Sequence, residues 1–421
     1  VLAKWVEDGL LSYEQAANLT KAVLFENSNR LYNLNLEPFW EPLAAPTLSP
    51  SLNSATFEQV FTPHKEVKFV RIQWVDYTGT LRLRVLPITT VMKKFKKGWD
   101  VSITEAALGI LHDDMPASDM SVVGMYDLKP DWSSLRTLTP GPSDTGAQHA
   151  SVMCDITYSG GADLPLCPRS ALRNAVSLAA STHGIEFLVG FETEVVFFDR
   201  SPTGSLITST PNAHFWSTAT ALTPKHLSCL EEISANLEAA GIELLMFHPE
   251  SADGQFEIVT GPLPPLAAVD ALYSTRQIVA TTAARHGMHA TLHPKPFANQ
   301  PGTSSHMHFS LLRSDLEFNF VAGVLQHLKA LAAVSMPSVA SYDRLADNCW
   351  AGGTWVCWGQ ENRETPLRRI KGGSPRWEFR AIDGTANMYL VLTVLIQAGL
   401  LGIEGKEEIS MSCESIFPPS P

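Results

Sequence analysis

The sequence predicts an α+β protein in two parts, a small sheet domain followed by a larger domain in which helices and strands alternate. Three observations carry that expectation. Phe69 to Pro87 alternates apolar and polar residues on either side of Asp76-Tyr77-Thr78-Gly79, the pattern of a hairpin. Beyond Cys167-Pro168-Arg169 the hydrophobic period switches repeatedly between that of a helix and that of a strand. Length and composition agree: 421 residues at roughly 100 to 200 per domain make two or three folded units, and 45% hydrophobic with 18% charged residues is ordinary globular usage.

Val1 to Leu34 reads as helical because Leu10, Leu11, Ala16, Ala17, Leu19, Val23 and Leu24 fall on one face, and residues 1–40 are taken as one helical segment. Glu37 to Ser54 is rich in Pro, Ser, Ala and Leu without periodicity, so 41–56 is a linker. The sheet domain is placed over 57–160, with a further Pro/Gly-rich loop from Thr139 to Gly146. The larger domain, 161–406, opens with a helix over Arg169 to His183 that has Pro168 at its first turn. Phe187 to Phe198 is a strand, and Thr223 to Ala240 is a helix with Gly241 at its C-terminal cap. Strands over Ile242 to His248 and Gln255 to Val259 surround the turn Ser251-Ala252-Asp253-Gly254, and a helix covers Leu266 to His286. Further strands are Ser304 to Leu311 and Arg376 to Ile382. Met388 to Leu401 is a buried helix, too short for a membrane span of roughly 20 residues. Residues 407–421 form a tail, and no internal repeat of fixed period is present.

The 31 Lys and Arg against 43 Asp and Glu give a net charge of −12, which argues against a general nucleic-acid or anionic-membrane partner. Six widely spaced cysteines without a C-x-x-C pair point to a reducing compartment, so a cytoplasmic location is expected.

The chemistry lies in where the carboxylates sit. Glu192 and Glu194 interrupt an otherwise apolar strand two positions apart and so project from one face. Like charges side by side are unfavourable unless a cation lies between them. Glu250 and Glu257 flank the Asp253-Gly254 turn, His306 and His308 share a strand face, and Arg376, Glu378 and Arg380 share another. Five Glu and one His (Glu192, Glu194, Glu250, Glu257, His306, Glu378) make an oxygen-rich donor set that favours Mg²⁺ or Mn²⁺ over Zn²⁺. Six ligands exceed what one partly hydrated Mg²⁺ takes from protein, so two or more ions are expected. Arg344, Arg363, Arg368, Arg369, Lys371, Arg376 and Arg380 gather downstream in an otherwise acidic chain. Guanidinium groups beside acidic metal ligands imply a metal–polyphosphate substrate, ATP. Neither G-x-x-x-x-G-K-[ST] nor G-x-G-x-x-G occurs, and Lys371-Gly372-Gly373-Ser374 alone is a weak candidate for a phosphate loop. His286, His289 and His293 lack an H-E-x-x-H arrangement and read as structural.

The segments Gly190-Phe191-Glu192-Thr193-Glu194, His248-Pro249-Glu250 through Glu257, Pro294-Lys295-Pro296 with Gly302 to His308, Asn362 to Arg368, and Arg376 to Arg380 occur in an order that resembles the glutamine synthetase superfamily. Trp350-Ala351-Gly352-Gly353-Thr354-Trp355 and Gln360 to Arg368 are similar to the FluG-like branch of fungi. That resemblance implies a β-grasp-like N-terminal domain and a catalytic domain built on a curved antiparallel sheet with flanking helices. It implies Glu194, Glu250 and Glu257 on one divalent ion and Glu192, His306 and Glu378 on another. Arg363, Arg368 and Arg376 would bind phosphates, with His308 near the nucleotide, and Arg344 and Arg380 would hold the substrate carboxylate or the transferred phosphoryl group. The implied activity is that of an acid–amine ligase working through an acyl phosphate, on small-molecule acid and amine substrates, in a homo-oligomeric ring whose active sites are shared between subunits.

Departures from the family pattern bear on substrate. Pro301 replaces an Asn, Ser304 replaces a Gly, and Trp350 stands where the family has a flap glutamate that helps deprotonate ammonium; Ser102 to Ala107 lacks the ammonium-binding Asp. Trp350 therefore joins Arg344, Arg363 and Arg380 among the expected catalytic positions, and a γ-glutamyl amide with an amine other than ammonia is the expected product. True glutamine synthesis and a non-catalytic developmental regulator are the alternatives. Leu24 to Tyr32 is similar to the closing segment of the amidohydrolase domain that precedes the synthetase part in FluG-like proteins, which implies that the chain is the downstream part of a longer protein or has lost that domain.

Overall fold

The computed structural model describes residues 55–410 and 412, except 112, 118–119, 139–144, 210–215, 348 and 373–375. The helical segment expected over 1–40, nearly all of the linker and most of the tail lie outside the described residues.

The first part begins with a short helix α1 (Phe57–Phe61), started by a capping box in which Thr56 and Gln59 satisfy each other's backbone N–H groups. Then follow β1 (Val67–Val75), β2 (Leu81–Pro87), α2 (Ile88–Lys97), β3 (Ser102–Thr104), β4 (Met125–Pro130), β5 (Arg136–Leu138) and β6 (Gln148–Tyr158). They form one sheet in the order β2-β1-β6-β4-β3, with β5 also paired to β6. The expected hairpin is β1–β2. Its turn is tied by Asp76, whose carboxylate accepts from the N–H groups of Thr78 and Thr80 and pairs with Arg82 at 2.5 Å. Gly79 has φ +78°, and a side chain there would stand 2.9 Å from the carbonyl oxygen of Thr385. A glycine is needed because the turn abuts the second part of the molecule, where Asn387 Nδ2 donates to the Asp76 carbonyl at 2.7 Å.

The second part runs α3 (Pro168–His183), β7 (Phe187–Arg200), β8 (Leu206–Thr208), α4 (Pro224–Ala239), β9 (Leu244–Pro249), β10 (Gln255–Thr260), α5 (Pro265–Arg285), β11 (Met288–Thr291) and β12 (Met307–Leu311). It continues with α6 (Glu317–Gln326), α7 (Leu328–Ser335), α8 (Val339–Arg344), β13 (Trp358–Gln360), β14 (Leu367–Ile370), β15 (Arg376–Phe379) and α9 (Met388–Glu404). The strands make a curved sheet in the order β13-β14-β15-β12-β7-β10-β9, antiparallel except for β13–β14. The long strand β7 is its spine. Along one edge it pairs β12 and then β11, along the other β10 and then β8. Its odd-numbered residues Phe187, Val189, Phe191, Val195 and Phe197 enter the hydrophobic core, so Glu192 and Glu194 face the opposite way. Helices α3, α5, α6 and α9 cover the core face.

Two strands are shorter than expected. Residues 304–306 run extended beside β7 instead of forming β12, with the Glu192 N–H donating to the His306 carbonyl at 3.0 Å and that of Glu194 to the Ser304 carbonyl at 3.3 Å. After Phe379 the ladder ends on a single bond: the Arg380 N–H donates to the Pro366 carbonyl at 2.9 Å, in register with β14, and Pro366 has no N–H to return. Helix α4 ends at Ala239, and Gly241 follows with φ +68°, the left-handed residue that closes such a helix. Among the described residues no helix is long and apolar enough to cross a membrane.

Candidate active site

Strand register brings the expected residues together on the face away from the helices. Glu194 lies opposite Glu257, which lies opposite His248; two rows along, beyond Glu192, Arg368 lies opposite Glu378, which lies opposite His308. His306, at the mouth of β12, sits 3.2 Å from Glu192 through Nδ1, 3.5 Å from Glu378 and 3.8 Å from Glu194. His308 Nε2 meets the other Glu192 oxygen at 2.7 Å. Glu250 follows β9 directly, and its Oε2 accepts the Ser251 N–H at 3.2 Å. The six predicted metal ligands thus form one continuous cluster.

Three sets of side chains each offer donor atoms within 4.8 Å of one another: Glu192 with His308 and Glu378, Glu192 with Glu257 and His306, and His248 with Glu250 and Glu257. This grouping divides the carboxylates differently from the two trios the family resemblance implies, and it adds His248 and His308. The chemistry of the set fits hard divalent cations, since carboxylate oxygens dominate it. Among the described residues the buried His306 Nε2 and His308 Nδ1 have no hydrogen-bond partner, so each ring keeps a nitrogen for a further ligand.

The electrostatics show strain where positive charge is scarce. At Glu250 burial and the carboxylates of Glu194 and Glu257 push the pKa up to about 8. Glu257 is raised too, by burial against the opposing hydrogen bond from His248. His248 answers by rising to about 9, chiefly through its hydrogen bond with Glu257. On the other side the balance reverses. Burial disfavours the Glu192 charge, but hydrogen bonds from His306 and His308 hold it well below the usual carboxylate range. Burial likewise opposes the Glu378 charge, yet Arg380 and His306 draw it down to about 2.

The basic cluster divides. Arg368 Nη1 donates to Glu378 Oε2 at 2.8 Å, and Arg380 Nη1 to Oε1 of the same carboxylate. Arg344 and Arg380 are buried and joined, with Arg344 Nη2 donating to the Arg380 carbonyl at 3.0 Å. Gly302 lies beneath them, where a side chain would stand 2.3 Å from Arg344 Cγ, so the chain passes only because the residue is glycine. Arg363 and Arg376 are exposed, and the Arg363 carbonyl accepts from Arg380 Nε at 3.2 Å. Arg369 is turned away: its Nε donates to Glu317 at 2.9 Å and its guanidinium lies 4.8 Å over the ring of Phe318. It belongs to the packing behind the sheet. Gly373 and Ser374 of the suggested phosphate loop lie outside the described residues. His286 pairs with Glu232 at 2.7 Å, a structural contact as expected.

Several site residues were not singled out from the sequence for these contacts. Ser304, read there only as replacing a family glycine, donates its N–H to Glu194 Oε2 at 2.8 Å and its hydroxyl to Oε1. Gln255 Nε2 reaches the same carboxylate at 3.0 Å. At the rim, Trp350 is half exposed, and its N–H donates to the buried carboxylate of Glu364 at 2.8 Å. The ring of Trp216 lies 6.3 Å from it.

Residues 165–416 match the family model described as the glutamine synthetase catalytic domain. The chain is 39% identical over 410 residues to protein fluG of Emericella nidulans, across 96% of this chain and 47% of that protein, so it spans about half the length of this relative. It is 32% identical over 359 residues to the gamma-glutamylpolyamine synthetase GlnA3 of Streptomyces coelicolor, covering 79% of this chain and 75% of that one. Among solved structures it superposes on a GmaS/ADP complex with a TM-score of 0.73 at 25% identity, covering 85% of this chain and 83% of that chain. The carboxylate-lined face of the curved sheet, the domain match and these relatives agree: the chain belongs to the glutamine synthetase superfamily, on a branch related to the fungal protein fluG.

Proposed function

We propose that the chain is an ATP-dependent ligase that joins the side-chain carboxyl of glutamate, or a related acid, to an amine other than ammonia. The observation that carries this reading is the placement of Glu192, Glu194, Glu250, Glu257, His306 and Glu378 in one cluster, bordered by Arg368 and Arg380 and rimmed by Trp350. The six acidic and imidazole side chains would hold two or more Mg²⁺ or Mn²⁺ ions, which when bound offset the charge of the phosphates. Arg363, Arg368 and Arg376 would contact the phosphate chain, with His308 on the nucleotide side, and Arg344 and Arg380 would fix the acid or the phosphoryl group in transfer. An acid oxygen attacks the γ-phosphorus and ADP leaves. The amine nitrogen then attacks the acyl carbon, the bond to phosphate breaks, and the amide, phosphate and a proton are released.

Trp350 supports an amine other than ammonia, because an indole has no basic lone pair for ammonium and offers apolar surface instead. A relative named for a polyamine and a structural neighbour solved with ADP are in keeping with both halves of the reading. The test is phosphate release and product mass with ATP, Mg²⁺ and glutamate across a panel of amines. A larger amine should be consumed in preference to ammonia; glutamine as the sole product would establish ammonia ligation, and no turnover with any amine would favour a non-catalytic role. A homo-oligomeric ring is part of the same proposal. The edge strands β2 and β9 expose Leu83, Val85, Leu245 and Met246, apolar surface suited to a neighbouring copy, and a monomer in light scattering with activity intact would remove it.

A further inference from the structure

Two tryptophans stand at the mouth of the acidic cleft with about half their surface in water: Trp216 is 50% exposed and Trp350 55%. Large aromatic side chains are rarely left so open unless something covers them. Their rings meet edge to face, with centroids 6.3 Å apart and planes at 85°. Trp216 also meets the imidazole of His248 at 6.3 Å and 74°, which connects the pair directly to the set formed by His248, Glu250 and Glu257.

Both indoles are held from below. The residue after Trp216 donates its N–H to the Pro249 carbonyl at 2.9 Å, which fixes that segment to the end of β9. Trp350 has φ +53°, a left-handed backbone that a residue with a side chain adopts only when its surroundings enforce it. The enforcement is visible on both sides of the residue. Its N–H donates to Glu364 Oε1 at 2.8 Å and its carbonyl accepts from Arg380 Nη2, and both Glu364 and Arg380 are buried. Arg380 is in turn held by Glu378. The strained backbone is therefore clamped by Glu364 and by Arg380, which also meets Glu378 of the carboxylate cluster, and the indole it carries meets the ring of Trp216.

We propose that Trp216 and Trp350 form the wall that binds the carbon skeleton of the amine substrate, that this skeleton carries an aromatic ring, and that Glu364 is the positioning residue that holds the wall in place. The inference rests on the ligase reading above and names its substrate class, an arylalkylamine. The charge fits, because a primary amine near neutral pH arrives as a cation, which the face of an indole attracts. The shape fits as well. Two rings at right angles offer a corner in which a third ring can stack on one indole and present its edge to the other, while its ammonium keeps contact with an aromatic face. An unbranched small amine fills none of that corner.

The experiment uses the full chain with Mg²⁺, ATP and glutamate, and compares phenethylamine, putrescine and methylamine by phosphate release. Phenethylamine should have the highest kcat/KM. Trp216→Ala should lower kcat/KM for phenethylamine by about tenfold or more, the scale set by loss of an apolar pocket wall, through KM rather than kcat, with a much smaller loss for methylamine. Trp216→Phe should restore most of it. Glu364→Ala should mimic Trp216→Ala, and Glu364→Gln, which keeps an acceptor oxygen for the Trp350 N–H, should rescue it. Preference for putrescine or methylamine, or an equal loss for all amines in Trp216→Ala, overturns the inference and leaves the ligase reading standing. Should no amine be turned over, the ligase reading fails, and calorimetry of phenethylamine with the Mg²⁺–ADP protein decides the wall by itself. Binding that Trp216→Ala abolishes supports it, and no binding overturns it.

Discussion

At Glu250 burial and two neighbouring carboxylates act in the same direction, so the cation-free protein holds a proton there up to a pH of about 8. The sign of the consequence follows. The folded-state pKa lies above the ordinary value, so cation-free stability falls as pH rises from about 4.5 toward about 8, where the native state gives up a proton that the unfolded chain has already lost. A divalent cation favours the ionised carboxylate and must displace that proton. Titrating Mg²⁺ into the protein at pH 7 in buffers of different ionisation enthalpy should show proton release, with affinity rising up to pH of about 8 and levelling above it. Heats independent of the buffer would mean that Glu250 is no ligand. Adding Mg²⁺ should also raise the thermal midpoint, because it relieves repulsion between Glu194 and Glu257 across their strand pair.

Between elements, the sheet face that carries the site depends on a close crossing of α6 and α9 behind it. A side chain at Gly402 would stand 2.3 Å from the Asn319 carbonyl oxygen and 2.5 Å from the Gly323 nitrogen, and one at Gly323 would stand 2.2 Å from the Ala398 carbonyl oxygen. The helices touch backbone to backbone. That contact seats Phe320 against Phe309 of β12 at 5.9 Å and lets Glu317 accept from the Trp377 indole of β15 at 2.8 Å. Gly402→Ala should force the helices apart and cost about 1 to 3 kcal/mol, the range for overpacking. Urea unfolding gives the readout, and an unchanged midpoint would show that the pair yields without strain. Loss of cation affinity should accompany the loss of stability, because β12 and β15 carry His308 and Glu378.

Across the whole molecule the two sheets are joined by one buried cation. Arg169 of α3 is 3% exposed and pairs with Asp131 at 2.7 Å and Asp155 at 2.9 Å in the first part, and with Asp270 at 2.8 Å in the second. Tyr389 of α9 donates to the same Asp270 at 2.5 Å. Replacing the cation alone, Arg169→Met, should leave Asp131 and Asp270 without their cation, while Asp155 keeps Arg173 at 2.6 Å, and cost about 3 to 5 kcal/mol, as for a broken buried pair. The pH dependence carries a signature. Burial raises the Asp131 pKa, but Arg169 and the hydrogen bonds from Ser133 together outweigh it and hold the carboxyl below its ordinary value, so this stabilisation exists above that value and is lost as pH falls through the lowered one. The deficit of Arg169→Met should therefore shrink in acid; a deficit independent of pH in denaturant unfolding would show that the arginine acts through packing alone.

Much of the site was legible in the chain because a strand has a period of two. Glutamates at 192 and 194 within an apolar run had to share a face, a hairpin at Asp253-Gly254 could bring Glu257 back toward Glu250 beyond the end of β9, and Glu378 had to lie opposite the face of Trp377 and Phe379. The same period separates Arg368 from Arg369, and counting basic residues in a cluster overlooked it; one guanidinium meets Glu378 and the other meets Glu317 on the far side. Other features had no such local signature. His248 joins the carboxylates because the β9–β10 register sets it opposite Glu257, and Ser304 reaches Glu194 because residues 304–306 pass beside β7 without entering β12. Trp216 and Trp350 meet although 134 positions apart by their numbers, and Glu364 lies under one of them only after the loops have folded back. Residue types and spacing determined the α+β class and the carboxylate set, because those follow from the hydrophobic period along single helices and strands. Which loop residues close the mouth of the cleft was decided by tertiary structure, because loops carry no period and their side chains are placed only by what they land on.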